Sequence, residues 1–538
     1  MELTLRADDD VIALLDDQAF VQAWRTLYGQ CPWATGYQSP GYVDAWYRLY
    51  HRRFKPLLLC GRENGRLSGL LALALDASGS SIVGAGGPQA VYQVWLAAPQ
   101  SSGAFIQAAL ARLRRDYPRR HLHLKHLAPG TPLDGLREQG GTVRCSVSAP
   151  QERPYMDTGA ERITKSFNGK TNRNLYNRLK RLGDVRFCTV TDPAEQAEAL
   201  DEYIRQYDFR QAAMYDCAPF RADPKKKAFY QRLLADGLLH VSVLRAGAAV
   251  VSVNVGLRGP DSVQVGITHS PLYADYSPGR LHTYLLCMAL AREGVGCFDL
   301  TPGGGYKSKL ATATDEVVEL SAFSALQTMQ MQRRQQMVRL ASGWLGRLGV
   351  STTAARLAFG RARKAARLAL SGTMPLGMAD RYCVYQAVPR PGADIGAPAL
   401  HANQVDDLLH YDEAGGRKTY HEFQYDAMKR LESRQDVYTI TDGGRLVFCA
   451  WVGRRGEMAP EEKDEKMPAA SDNAIALYDI YRHAGAGHET RLRGFLEQVL
   501  SDLHGRFSAA RVELVLHAHD RAARSVAEQA GFTLLTQP

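Results

Sequence analysis

The sequence predicts a mixed α/β protein in which one unit is used three times. Three observations carry that expectation. Val-rich runs with a period of two stand beside segments whose apolar residues recur at helical spacing. The order helix, strand, strand, strand, helix, strand is the same in each unit. Each first hairpin is closed by turn formers: "ENG", "RAG" and "DGG". The units recur at roughly 180 to 200 residues, far longer than a solenoid repeat, so each is read as a whole domain. Mixed α/β chains can alternate in this way by chance, but the shared placement of hairpin and helices favours duplication.

In the first unit the helix is "PGYVDAWYRLYH". The strands are "KPLLLCGRENG", "RLSGLLALALD" and "AVYQVWLA". "GAFIQAALARLRRDYP" is the second helix and "RHLHLKHL" the last strand. The middle unit opens with "KKAFYQRLLADG". Its strands are "LLHVSVLRAG", "AAVVSVNVGLRG" and "DSVQVGITHS", whose alternating Val suits half-buried sheet. A helix from Pro278 and the strand "GCFDL" complete it. The third unit runs "HEFQYDAMKRLES", "DVYTITDGG", "RLVFCAWVG" and "AIALYDIYRHAG", then "ETRLRGFLEQVLSDLHG" and "ARVELVLHA".

Two segments lie between or within units. Residues 321 to 379 hold nine Lys or Arg and no Asp or Glu. Apolar residues such as Met337, Leu340, Trp344 and Leu348 recur there at helical spacing. Basic amphipathic helices of this kind can lie on an anionic membrane surface. Gly343, Gly346 and Gly349 would weaken an independent surface helix, which favours packing on the second domain as a link to the third. The polar stretch "RRGEMAPEEKDEKMPAASDN" reads as a long hairpin tip.

Composition sets the outer bounds. A chain of 538 residues is too long for one core. With 45% hydrophobic and 23% charged residues it has an ordinary globular balance. The start "MELTLRADDD" is acidic and lacks an apolar stretch, which argues against a secretory signal. No apolar run is long enough to span a bilayer. Nine scattered cysteines without a C-x-x-C pair support neither a disulfide framework nor a zinc site, so no metal is expected and the compartment is read as the reducing cytoplasm. A net charge of +10 favours anionic partners: phosphorylated cofactors, acidic lipid or nucleic acid.

One stretch is informative about chemistry. "YSPGRLHTYLLCMALAREGVGCFDLTPGGGYKSKL" passes from a turn through a helix and a short strand into a glycine turn. Ser277 is a good N-cap, and Pro278 suits the first helical position. Gly279 bares the backbone behind them, so the helix start offers N–H donors and the positive end of the dipole to an anion. Arg280 adds a charge suited to phosphate. Ser-Pro-Gly also begins many helices that bind nothing.

The middle unit resembles the acetyltransferase superfamily called GNAT. Within it, the unit is similar to the acetyltransferase-type domain of bacterial CelD/BcsL-like proteins, associated with cellulose and exopolysaccharide biosynthesis. The resemblance rests on "FNGKTNRNLYNRLKRLGDVRF", "YSPGRLHTYLLCMALAREGVGCFDL" and "GGGYKSKLAT". "YQSPGYVDAWYRLY" and "GRENGRLSGLLALAL" in the first unit look like that family's N-terminal half, so it covers roughly residues 20 to 375. Paired GNAT-like halves also occur in Fem-type peptidyltransferases, which use aminoacyl-tRNA. The resemblance implies tandem GNAT-like domains and acetyl-CoA or another acyl-CoA as co-substrate. Its pyrophosphate would lie at Tyr276, Ser277, Gly279, Arg280 and Leu281. Only one glycine of the family's pyrophosphate loop is kept there. "HAHDRAARSVAEQAGFTLL" makes the third unit resemble a GNAT fold as well. There "HAGAGHETRLRG" departs from the loop pattern, and Glu489 would stand near a pyrophosphate.

Acyl transfer from a thioester needs a polarised carbonyl, a neutral acceptor and a place for its proton. Asp299, ending "GCFDL", stands where α/β sites usually open, though a turn aspartate before Pro302 is an equal reading. His269 ends a neighbouring strand and is a second candidate base, or a structural histidine. Tyr306 and Lys307 follow the glycine turn and could orient the acceptor or neutralise phosphate; Lys307 and Lys309 could equally be solvated. Lys170, Arg173, Arg178, Lys180 and Arg181 form a basic helix that could meet an anionic substrate or RNA, or simply face water. "GGGYKS" is no phosphate-binding Walker loop, because Tyr306 separates glycine from lysine.

The expected organisation is an N-terminal GNAT-like domain at 1–155 and a central acyltransferase domain at 156–320 with the cofactor site. A basic helical linker at 321–390 and a C-terminal GNAT-like domain at 391–538 follow. The expected activity is acyl transfer from acyl-CoA to an amine or hydroxyl of a sugar or peptide precursor. Peripheral contact with the inner membrane through 321–370 is a further expectation. The rivals are an aminoacyl-tRNA-dependent peptidyltransferase and a non-catalytic scaffold of degenerate transferase domains.

Overall fold

The chain is described by a computed structural model covering residues 1–137, 145–323, 333, 337, 352–370, 382–391, 399–414, 418–454, 475–483, 489–506 and 511–536. It divides into two compact units. One is Met1–Tyr203, Asp223–His269 and Tyr276–Gly343; the other is Ile204–Ala222, Ser270–Asp275 and Trp344–Pro538.

The first unit holds two sheets. The larger runs β1 (Glu2–Ala7), β2 (Phe54–Glu63), β3 (Arg66–Asp76), β4 (Ser81–Gly84), β6 (His121–Leu127), β15 (Ala313–Ala322), β8 (Gln151–Asp157), β14 (Cys297–Asp299) and β12 (Ser262–Gln264). Strands β5 (Leu96–Ala97) and β7 (Cys145–Val147) join β3 and β15 at the side. The smaller sheet is β13 (Ile267–His269), β11 (Ala249–Leu257), β10 (Leu239–Ala246) and β9 (Val185–Thr189). Strand β15 ties the two predicted repeats together. Its Ala313–Val317 half pairs with β8 and its Val318–Ala322 half with β6.

Two predicted strands are different in the structure. "AVYQVWLA" is strand only at Leu96–Ala97, and the third strand of the first repeat is instead Ser81–Gly84. The cause is Gln93. Its backbone N–H bonds the Lys125 and His126 carbonyls, its Nε2 donates to Gly87, and its Oε1 accepts from Lys125. One buried side chain thus replaces a strand ladder. "DSVQVGITHS" is broken into β12 and β13 at Val265 and Gly266. Gly266 N–H turns to Asn254 Oδ1 at 3.1 Å, and a Cβ there would lie 2.1 Å from the Val255 carbonyl oxygen. Only glycine lets the backbones approach so closely.

The second unit has one sheet: β17 (His401–Ala402), β18 (Asp436–Asp442), β19 (Arg445–Arg454), β20 (Ile475–Arg482), β21 (Val512–His517), β16 (Tyr382–Ala387) and β22 (Thr533–Thr536). The helix Glu489–Arg506 packs Phe495, Val499 and Leu503 on one face. On the other, Phe423, Met428 and Leu431 of Tyr420–Glu432 meet Phe209, Ala212 and Ala213. Thr419 and Glu422 form a capping box that starts the Tyr420 helix.

The basic helix Thr352–Leu370 belongs to this unit. Leu357 is buried, Arg361 pairs with Glu422 at 2.8 Å, and Lys364 Nζ donates to the Glu413 and Lys418 carbonyls. It packs on the third repeat, not on the second as expected for the segment, because its cations find partners around the Tyr420 helix; Gly343, Gly346 and Gly349 lie outside the described residues. The rest of 321–379, including Leu340, Trp344 and Leu348, lies outside the described residues except for 321–323, Arg333 and Met337. The expected hairpin tip lies outside them too, save Arg454. Among the described residues no helix is long and apolar enough to cross a membrane.

All three repeats share one local geometry. The meander's last strand runs parallel to the strand after the second helix for three residue pairs, then departs. The pairs are Ser81–Val83 with His121–His123, Ser262–Gln264 with Cys297–Asp299, and Ile475–Leu477 with Val512–Leu514.

Candidate functional site

In the middle repeat that departure makes a fork. Parallel pairing ends where Gln264 faces Asp299. Beyond it, β13 continues on the smaller sheet against β11, while Leu300 N–H holds to Pro154 on the larger. One arm is therefore Ile267–His269, and the other is Leu300 and Thr301.

The helix Pro278–Arg292 begins on the first arm. A Cβ on Gly279 would lie 3.2 Å from His269 Nδ1 and 3.8 Å from Ile267 Cγ2, so the glycine lets the helix start rest directly on the strand. Ser277 is at the N-cap position but in the left-handed region, with φ +48°, and its side chain makes no capping bond. Its carbonyl instead accepts from Arg280 and Leu281 N–H. This corrects the expected side-chain cap and the fully open row of donors. Leu281 is buried in the core; Arg280 is exposed. Arg178, from the basic helix Lys170–Leu179, stacks over the Tyr276 ring at 5.4 Å. Lys170 and Arg173 lie exposed earlier on that helix.

The apex is a buried ionic cluster. Asp299 Oδ2 accepts from Tyr92 Oη at 2.7 Å and from Arg153 Nη1 at 3.2 Å; Oδ1 accepts from Thr301 N–H at 2.7 Å. Burial pushes the Asp299 carboxyl above its ordinary range, and Arg153 is the strongest opposing influence. Arg153 also grips Asp315 with two bonds, at 2.6 and 2.5 Å. Burial disfavours its charge, but the two carboxylates overcome this and hold the guanidinium firmly protonated. Thr301 has φ +63°, and Lys307 Nζ donates to its Oγ1 at 2.6 Å. Burial lowers the Lys307 pKa, with Asp299 opposing. Tyr306 is 64% exposed on the glycine turn, and Gly303 and Gly304 carry the positive φ that turn requires.

The candidates thus form two groups. Tyr276, Ser277, Gly279, Arg280 and His269 gather at the helix start, with Arg178 beside them. Asp299, Lys307 and Tyr306 belong to the apex and its turn. The sequence reading missed Arg153, Tyr92, Thr301 and the Tyr37 hydroxyl, which bonds Gln264 Oε1. Tyr37 and Tyr92 come from the first repeat and reach the apex of the second. No local pattern marks them.

The corresponding region of the first repeat is filled by its own chain. Gln93 lies beside β6, and Trp95 Nε1 donates to Ser102 Oγ in the first turn of Ser102–Asp116. In the third repeat Arg482 and Asp520 pair at 2.5 Å beyond the last parallel pair. The loop 484–488 before its helix, with Gly485 and Gly487, lies outside the described residues; Glu489 is exposed.

Residues 169–308 match the family model of an acetyltransferase (GNAT) domain. The chain therefore carries a GNAT-type domain that includes the basic helix, the fork, the helix start and the glycine turn. No curated protein matches. Solved structures with similarity include FemX, at 9% identity, TM-score 0.41, covering 58% of this chain and 98% of that one. L-PGS from Bacillus licheniformis is 11% identical, TM-score 0.38, covering 62% and 97%. A tandem GNAT protein from the clavulanic acid biosynthesis pathway is 13% identical, TM-score 0.34, covering 60% and 98%.

Proposed function

We infer that this chain is an acyl-CoA-dependent acyltransferase whose donor lies in the fork of the middle repeat. The single observation behind this reading is the helix start resting through Gly279 on the strand that leaves Asp299. It puts a helix dipole, Arg280 and Arg178 at the entrance to a gap between two strands. A diphosphate fits the cationic entrance, and a thioester arm fits between extended backbones. The GNAT match over 169–308 supports acetyl-CoA or a longer acyl-CoA as the donor.

Within this reading His269, packed against Gly279, lies at the diphosphate end of the donor and not at its thioester. It is half-buried on the open arm, whereas Asp299 is buried and already accepts three hydrogen bonds. Asp299 fixes the apex and the Thr301 turn, from which Lys307 and the exposed Tyr306 face the acceptor's approach. The acceptor is an amine or hydroxyl of a sugar or peptide precursor, with exopolysaccharide or cell-envelope assembly as the setting.

Calorimetry with acetyl-CoA and longer acyl-CoA tests the reading. Arg280→Glu is the informative variant, because Arg280 is exposed and any side chain at 279 would press on His269. Saturable binding that weakens about tenfold or more in the variant is expected, as for a lost charge-assisted phosphate contact. No binding by the wild type across the series would overturn the reading. The exposed basic helix Lys170–Leu179 favours a second reading, an aminoacyl-tRNA donor. That reading requires RNA binding that falls steeply with added salt.

A further inference from the structure

The Pro278 helix carries a histidine one turn inside its start, and the ring bonds two strands. His282 is fully buried. Its Nε2 is 2.9 Å from Ser242 Oγ on β10, and its Nδ1 is 3.0 Å from Ser252 Oγ on β11. Ser252 has one hydroxyl proton, and it is used on the Thr268 carbonyl at 2.6 Å. Ser252 Oγ can therefore only accept from the ring, so Nδ1 carries the proton and Nε2 accepts from Ser242. A neutral imidazole satisfies every bond. Burial agrees, pushing the ring's pKa down to about 3. Phe187 closes the ring's side edge-on at 5.3 Å.

This network returns to the helix start. Ser252 stands opposite His269 in the β11–β13 register, and Thr268 immediately precedes His269. His269 Nδ1 is the atom nearest to where a Cβ on Gly279 would be. Contacts thus run from the helix's second turn through β11 to β13 and back to the helix's first turn, with β10 tied to the same ring. Thr283 adds a local clasp, donating to the Gly279 carbonyl at 2.8 Å.

We propose that His282 is a positioning residue for the acyl donor: by bonding β10 and β11 it sets the height and rotation of the Gly279–Arg280 turn over the fork. The proposal rests on the reading that the donor's diphosphate lies at that turn. His282 itself touches no substrate and acts through Gly279 and His269. It serves the diphosphate end of the donor and not the thioester end.

The test compares two probes on the full chain: acetyl-CoA, and S-acetylpantetheine, which keeps the thioester and lacks the diphosphate. Wild type must bind acetyl-CoA; if it does not, the functional reading itself fails before any variant is made. In His282→Asn, acetyl-CoA affinity is expected to fall about tenfold or more while S-acetylpantetheine affinity holds. Ser242→Ala keeps the ring and removes only the bond to β10, so it decides the matter if His282→Asn does not fold. It should show the same selective loss, smaller in size. Unchanged affinity for both probes in a folded variant with a lowered melting temperature would mean the ring is only structural. Equal loss for both probes would also overturn the proposal, because the fork as a whole would have changed.

Discussion

Arg153 stands between two carboxylates that lie 146 and 162 residues from it in sequence. It holds Asp315 with two bonds and Asp299 with one; Arg153 and Asp299 are largely shielded from water, and Asp315 is partly exposed. A buried ion pair adds little net stability, but breaking one strands a charge. Arg153→Met is therefore expected to destabilise the protein by about 3–5 kcal/mol, read from urea unfolding. Adding Asp299→Asn should recover part of this, so that the double variant falls short of the summed singles by about 1 kcal/mol or more. Strict additivity would show that the two residues do not share the network.

The buried histidines give a pH dependence of known sign. His282 and His240 are both held below the ordinary imidazole range, by burial first. Below about pH 6.5 the unfolded chain takes up protons that the native state refuses, so stability must fall as pH is lowered. For His282 the window runs from about 6.5 down to about 3. The expected slope is at most about 1.4 kcal/mol per pH unit for each ring. Urea midpoints at pH 7 and pH 5 should differ less in His282→Gln than in wild type. An unchanged difference would contradict a neutral buried ring.

At the scale of elements, the fork depends on one glycine. A Cβ at Gly266 would collide with the Val255 carbonyl, and backbone cannot yield as a side-chain tip can. Gly266→Ala is expected to cost about 1–3 kcal/mol and to weaken acyl-CoA binding with it, since β12 and β13 must shift. Intact binding in a destabilised variant would show that the strand break is not part of the site. This element also shows what a sequence can reveal. "DSVQVGITHS" keeps perfect alternation across the break, so periodicity reads one strand where there are two. The helix start at Pro278 was legible because proline and glycine act within neighbouring residues, although the Ser277 side chain does not cap it. The apex was not, because Arg153, Tyr92 and Tyr37 reach their partners across 146, 207 and 227 residues.

For the whole molecule, the threefold recurrence was visible because hairpin turns and strand periods are local. The sharing of elements between repeats was not. Strand β15 follows the second repeat yet lies along β6 of the first. Phe209, Ala212 and Ala213 precede the second repeat's hairpin yet fill the core of the second unit. A fragment comprising residues 382–538 alone lacks those three side chains. It is expected to bind a hydrophobic dye and to unfold at lower urea than the full chain's second unit. A fragment as stable as the parent would show that the helix around Phe209 is dispensable.

The central claim is that the acyl donor lies in the middle repeat's fork, and hydrogen exchange on the full chain tests it most directly. With saturating acetyl-CoA, peptides covering 262–269 and 276–285 are expected to exchange more slowly, with the corresponding strands of the first and third repeats unchanged. Protection confined to 475–506, or none anywhere, would contradict the account.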